Sequence, residues 1–259
     1  MRKRRKNILR RKTKFFSKSK GFYLSILGLI TIGFLFYFFF FSSTFQIDKI
    51  KIEGNKKVST EEIEKIVENN IEKDILSLKT KSIFLFNLKE TEKMILSSSF
   101  NIDSVAFEKN LPKEIKIIIR EREMVSLFEN NNYFFLLDRK GIVFEKIENK
   151  EDSFLIKNSS FNEEAVLGKG VIEEKTLSKI LELKEGMEDL NLEISEAFLE
   201  TQKRVDIKTR EGWEVYFSLE KELKWQLTET KILLEKEINL QRRENLQYID
   251  LRFEKAYYK

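Results

Sequence analysis

The chain contains no cysteine and no histidine in 259 residues. Those two absences remove disulfides, Cys/His metal centres, cysteine nucleophiles and every Ser-His-Asp scheme. Zero cysteine fits either redox compartment. There is one proline, Pro112, and nine glycines that do not cluster, so no Gly-rich loop is available to cradle a phosphate. Without His or Cys, hydrolysis would need paired carboxylates or a Ser-Lys pair. Asp and Glu are instead dispersed among Lys along helical stretches, the pattern of a solvated face. Ser97-Ser98-Ser99 reads as a helix end. The expectation is a protein that is not an enzyme, with no cofactor, no metal and no small-molecule substrate.

What is abundant is charge, unevenly placed. The net charge is +5, yet residues 1–20 carry eleven Lys/Arg and no acid. The remaining 37 basic and 43 acidic residues sum to −6. A basic tail on a mildly acidic body gives the body no reason to bind nucleic acid. The tail alone could be a nucleic-acid arm, but its position argues otherwise. From Gly21 to Ile47 there is no charged side chain. Phe22 to Phe41 is about the length needed to cross roughly 30 Å of hydrocarbon as a helix. The positive-inside rule then keeps the N-terminus cytoplasmic and puts everything after residue 45 outside. A cleaved signal peptide competes with this reading. Its apolar region is normally about 7–15 residues, shorter than this one, and Ser42-Ser43-Thr44 is a weak cleavage site. The expectation is a cytoplasmic tail at 1–20 and a retained signal-anchor at 21–43.

The next segment, IKIEGNKKVSTEEIEKIV, reads as strand, turn and amphipathic helix. Ile47, Ile50 and Ile52 alternate in part, and Gly54-Asn55 signals a turn. Ser59 is a candidate N-cap with Glu62 at the capping-box position, and Val58 and Ile63 occupy the staple positions. Ile63, Ile66, Val67 and Ile71 share one helical face. After an apolar turn at 83–86, Asn87 and Glu90 repeat the capping pattern for a second helix ending near Ser97. Val105 and Phe107 alternate in one strand, and Ile115, Ile117 and Ile119 in the next. Leu111-Pro112 lies between them, where the missing N–H costs no ladder bond. The order is β-α-α-β-β.

Further on, VSLFE, YFFLLD and IVFEKI read as strands joined by turns at 130–132 and 138–141. A loop at 148–153 and a short strand at 154–156 follow. A helix over about 173–188 places Leu177, Ile180, Leu181 and Lys184 at helical period. Three strands near 191–200, 203–209 and 213–219 precede a helix over about 220–237, and a final strand covers 247–253. This is an α+β body with antiparallel strands.

The β-α-α-β-β order, with Gly54-Asn55 before the first helix and Leu111-Pro112 before the last strand, resembles a POTRA domain over 45–122. Glu121-Arg122, then Val125, then LLDRKGIVF with Asp138 and Gly141, resemble the segments that follow that domain in the FtsQ/DivIB cell-division family. REGWEVYF at 210–217 and YIDLRF at 248–253 match too, as do the basic tail and single span. The chain departs from the family pattern at Met124, where a proline is common, and at Ser218-Leu219, where a glycine is common. The resemblance implies a C-terminal β-rich domain of the family type over 123–259.

It also implies a role. The protein would be a non-enzymatic scaffold of the division machinery, a single-pass protein of the cytoplasmic membrane placed at the septum. Its partners would be lipid and small single-pass coiled-coil proteins like FtsB or DivIC and FtsL. They would add a strand to a sheet edge formed by Tyr248, Ile249, Asp250, Leu251, Arg252 and Phe253, with Tyr257 and Tyr258 as anchors. POTRA domains also serve polypeptide transport and assembly, usually ahead of a many-stranded barrel. No such strand array is present here.

Overall fold

The computed structural model describes residues 20–75, 77–150, 152–161, 163–238 and 240–259. The basic tail therefore lies outside the described residues, Lys20 excepted. The chain first forms α1 (Lys20–Phe41), 22 residues with no acidic group and none buried. At ~1.5 Å per residue it is about 33 Å long, which fits a single membrane span.

Then come β1 (Lys49–Glu53), α2 (Thr60–Ile71), β2 (Lys73–Ile75), β3 (Leu78–Thr80), α3 (Leu88–Ser98), β4 (Ile102–Asn110) and β5 (Glu114–Glu121). The sheet order is β1-β5-β4, while β2 and β3 form a separate antiparallel hairpin. The order read from the sequence is present with that hairpin added between the helices. KDI and LKT are too short for a period-2 pattern. Their turn uses Ser77 at φ 66 rather than a glycine, so nothing local announces it.

Both predicted caps form. The Glu62 N–H donates to Ser59 Oγ at 3.3 Å, but the hydroxyl donates to Glu61 Oε2 at 2.6 Å. The carboxylate meeting the cap is thus Glu61 rather than Glu62, and that hydrogen bond holds the Glu61 carboxyl below its ordinary range. At α3 the Glu90 N–H donates to Asn87 Oδ1 at 3.3 Å, and the Asn87 side-chain Nδ2, rather than its backbone N–H, donates to Glu90 Oε2 at 3.0 Å. In β5 the alternating Ile115, Ile117 and Ile119 are all buried.

The chain divides into two compact bodies. Among the described residues, one holds those up to Lys51 with Glu64–Thr91 and Phe107–Ile117; the other holds Ile52–Ile63, Glu92–Ala106 and those from Ile118 to Lys259. The second body contains β6 (Ser126–Asn130), β7 (Tyr133–Leu137), β8 (Val143–Ile147), β9 (Leu155–Asn158), α4 (Glu174–Asp189), β10 (Ile194–Thr201), β11 (Arg204–Thr209), β12 (Glu214–Ser218), α5 (Leu223–Lys236), α6 (Leu240–Arg243), β13 (Tyr248–Asp250) and β14 (Tyr257–Tyr258).

These strands make one sheet in the order β14-β13-β12-β11-β10-β9-β6-β7-β8. It is mixed. β9 pairs parallel with both β6 and β10, and β12 pairs parallel with β13. The β9–β10 and β12–β13 pairs are parallel because a helix, α4 or α5, carries the chain back before the next strand. The expectation of antiparallel strands holds for the hairpins and fails at these crossovers.

The alternating residues Val205 and Ile207, Val215 and Phe217, and Ile249 and Leu251 join Trp213 in the core. Leu177, Ile180, Leu183 and Met187 of α4 and Leu223, Leu233 and Leu234 of α5 complete it. Lys184 lies outside that stripe, in an i,i+4 pair with Glu188 at 2.6 Å. Gln226 is fully buried on α5 and satisfied. Its Oε1 accepts from Ser218 N–H at 2.9 Å and its Nε2 donates to Ser218 O at 2.8 Å. That clamp fastens the helix to the end of β12, where the family pattern often has glycine.

Candidate partner-binding edge

The segment predicted as the edge, Tyr248–Phe253, is one strand in from it. β13 covers only Tyr248–Asp250 and lies between two neighbours. On the inner side Glu214, Val215 and Tyr216 face Tyr248, Ile249 and Asp250. On the outer side Ile249 faces Tyr258 and Asp250 faces Tyr257. After Leu251, whose N–H donates to Tyr216 O at 3.0 Å, the chain turns through Arg252 to Lys255 and returns as β14. The true edge is therefore Tyr257–Tyr258, two residues predicted as anchors beyond the last strand. A strand of two residues has no alternation to read, which is why the sequence pattern missed it.

Register shows what β14 offers. Tyr248 and Lys259 exchange both main-chain bonds, at 3.3 and 3.1 Å. In an antiparallel ladder such pairs alternate with non-bonded ones. Tyr258, facing Ile249, is the non-bonded residue, so its N–H and C=O point away from β13. Tyr257 is 56% exposed and Tyr258 40%. Phe253, 54% exposed, meets the Tyr257 ring edge-on at 6.0 Å. Lys221 Nζ holds the Phe253 carbonyl at 2.6 Å and so fixes the turn. The edge is thus short, uncharged in its strand residues and rimmed by three exposed rings.

A row of side chains on the face away from α4 and α5 braces this edge. Asp206, Tyr216, Asp250 and Tyr257 face one another across β11, β12, β13 and β14. Arg204 makes a two-pronged pair with Asp206, and Arg252 does the same with Asp250 at 2.8 and 2.6 Å. Both guanidiniums lie over the Tyr216 ring, at 4.9 and 5.3 Å, and the Tyr248 ring stacks on it at 5.2 Å. Burial pushes the Asp250 carboxyl up, but the side chain and N–H of Arg252 outweigh it and hold it below the usual range. Burial pushes the Asp206 carboxyl up, and there the Arg204 guanidinium does not cancel it. The sequence reading missed Arg204, Asp206 and Tyr216, because only register places them beside YIDLRF.

The other signature residues serve structure, all but Leu111 and Pro112 in the second body. Gly54 has φ +90, and a Cβ there would lie 2.2 Å from the Ile119 carbonyl oxygen. The chain must pass that close, and only glycine allows it. Asn55 donates its amide to Val58 O and Thr60 Oγ1 at 2.9 and 2.8 Å, closing the turn. The Glu121 carboxylate accepts from the N–H groups of Lys56, Lys57 and Val58 at 2.7 to 3.1 Å. Burial pushes its pKa up, but those three N–H groups and the Lys56 charge hold it below the ordinary value.

Arg122 points the other way, to Asp138 and, at 3.5 Å, Asp103, and donates to Phe100 O at 3.1 Å. Asp138 also accepts from the N–H groups of Lys140 and Ile142, both at 2.9 Å, and so shapes the β7–β8 turn. In that turn Gly141 has φ +76, and a Cβ would lie 1.9 Å from Ile172 O. Leu111 and Pro112 occupy the β4–β5 connection, with Leu111 exposed.

The description "POTRA domain, FtsQ-type" matches residues 45–122, and "Cell division protein FtsQ/DivIB, C-terminal" matches residues 127–252. The chain is 31% identical over 113 residues to the cell division protein DivIB of Clostridium acetobutylicum, covering 44% of this chain and 42% of that one. It is 26% identical over 175 residues to DivIB of Clostridium tetani, covering 64% and 61%. It is 29% identical over 102 residues to the cell division protein FtsQ of Rickettsia bellii, covering 39% and 35%. These matches span between a third and two thirds of each relative. Among solved structures, the major extracytoplasmic domain of DivIB from Geobacillus stearothermophilus matches with a TM-score of 0.30 at 15% identity. That match covers 46% of this chain and 98% of that one. The two family descriptions follow one another in order along more than three quarters of the chain, and the chain belongs to the FtsQ/DivIB cell-division family.

Proposed function

We infer that this protein is a bitopic membrane scaffold of the bacterial division machinery, acting at the septum. In this reading it carries no reaction. The tail, 1–20, is cytoplasmic, 21–43, which holds all of α1 but Lys20, is the anchor, and the domains at 45–122 and 123–259 lie outside the membrane. Its binding energy places other membrane division proteins, small single-pass coiled-coil chains like FtsB or DivIC and FtsL. The observation that carries the reading is the edge of β14. A partner strand can pair with the outward main chain of Tyr258, which needs no special side chain. The exposed rings of Phe253, Tyr257 and Tyr258 then supply the apolar contact that distinguishes one partner from another. No observation favours a transport role.

The test is Phe253→Glu. The ring is half exposed and outside the core, so the folded domain should melt as before. Affinity for the coiled-coil partner should fall at least tenfold, about 1.4 kcal/mol. Unchanged melting together with unchanged affinity would remove the edge assignment.

A further inference from the structure

The last helical turn of α1 leaves carbonyls without intrahelical partners, and the segment from Gln46 to Phe86 supplies them. Thr80 donates its hydroxyl to the Phe40 carbonyl, and Ser82 donates to Phe39 O at 3.0 Å. The Gln46 amide donates to Phe40 O at 3.1 Å, while its Oε1 accepts from Lys81 N–H at 2.6 Å. Ile83 N–H donates to Phe45 O at 3.0 Å. These bonds hold the loop Ser82–Phe86 against the end of α1. Lys109 fixes it from behind, donating to Ile83 O at 2.7 Å; burial lowers the pKa of that ammonium.

Within the loop, Ile83 and Phe86 turn inward and are buried, while Phe84 turns outward and is 41% exposed. Its ring lies 5.6 Å from that of Phe39 and 5.2 Å from that of Phe45. α1 is about as long as the hydrocarbon is thick, so Phe39, in its final turn, sits at the boundary. A ring in contact with Phe39 shares its depth. We propose that Ser82–Phe86 is a membrane foot. Phe84 enters the boundary between headgroups and acyl chains beside α1, as interfacial aromatics do. The occupant is lipid because the patch is continuous with the apolar surface of the span. The foot and the capped carbonyls together hold the first body at a set attitude to the bilayer, where a bare tether would let it swing.

The chain has no cysteine, so single labels are specific. Full-length Phe84→Cys, Phe45→Cys, Phe34→Cys and Lys203→Cys chains, each carrying an environment-sensitive fluorophore, would be reconstituted in phosphatidylcholine–phosphatidylglycerol vesicles. Labels at 84 and 45 should be quenched by lipids bearing a nitroxide near the headgroup. Aqueous iodide should quench them several-fold less than the label at 203. Iodide quenching at 84 equal to that at 203 would overturn the foot. So would protection at 84 from both quenchers, which means a protein occupant. The label at 34, in the middle of α1, should respond to deep nitroxides. If it does and 84 does not, the foot fails alone; if neither does, the span reading fails with it. Neither outcome bears on the β14 edge.

Discussion

The nine-stranded sheet ends at β8 on one side and β14 on the other, and the two ends are built differently. At β8 the outward main chain of Val143 is already used: its N–H donates to Lys169 O at 3.1 Å and its carbonyl accepts from Gly168 N–H at 2.7 Å. A register shift lies opposite, between Leu136 and Leu137, and the strand carries Glu145 and Lys146. Glu145 pairs with Lys57 at 3.1 Å, and Lys146 sits over the Tyr133 ring at 3.2 Å. Shortening, covering, bulging and charging all keep an edge from pairing. β14 is short but is not covered, bulged or charged in its strand residues. It is two exposed tyrosines, and the main chain of Tyr258 is turned outward. That contrast between the two ends is what supports the proposal that a partner pairs at β14.

The anchoring of the two edges differs as well, which sets the largest expected effect. The turn into β8 rests on Arg122–Asp138, whose side chains are only 12% and 6% exposed. Arg122→Ala leaves a buried carboxylate without its cation and should cost about 3 kcal/mol in chemical denaturation. Arg252→Ala, at the more open Arg252–Asp250 pair, should cost about a third of that. Equal losses would mean that the two edges are braced alike.

Next in size is Tyr258→Pro. Proline removes an N–H that faces away from β13, so folding should survive. A partner strand loses a main-chain bond and meets a ring, and affinity should drop about tenfold, measured by titration calorimetry. Unchanged affinity would mean that partners do not pair with β14.

The smallest effect is the acid limb of stability. Glu121, Glu196 and Asp250 are each held below their ordinary values by hydrogen bonds and nearby cations that outweigh burial. The unfolded chain therefore binds more protons in acid, and this stabilisation, full above the ordinary carboxylate range near ~4, is lost as pH falls through the depressed values. Asp206 runs in the opposite sense, since its raised pKa favours the protonated native form. Glu121→Gln should flatten the fall in Tm between pH 5 and pH 3 (~2 pH units around the ordinary carboxylate value). An unaltered slope would show that the Lys56–Val58 amides do not tune that carboxylate.

Local signals carried much of this fold. The uncharged run specifies α1, the Ser59 and Asn87 caps start α2 and α3, and alternating isoleucines mark β5. What they could not carry is pairing between distant residues. Nothing near Arg122 points to Asp138, nothing in YIDLRF points to Arg204 or Asp206, and the parallel pairs of β9 depend on a crossover rather than on a pattern. For the same reason Tyr257 and Tyr258 could be recognised as uncovered, but not as the strand that displaces Tyr248–Phe253 from the edge.

The most direct test is photocrosslinking in dividing cells from a reactive residue at position 258 and, in parallel, at position 146, with captured proteins identified by mass spectrometry. The account predicts capture of a small single-pass coiled-coil protein from 258 and none from 146. Capture from 146 alone, or of secreted chains from 258, would contradict it.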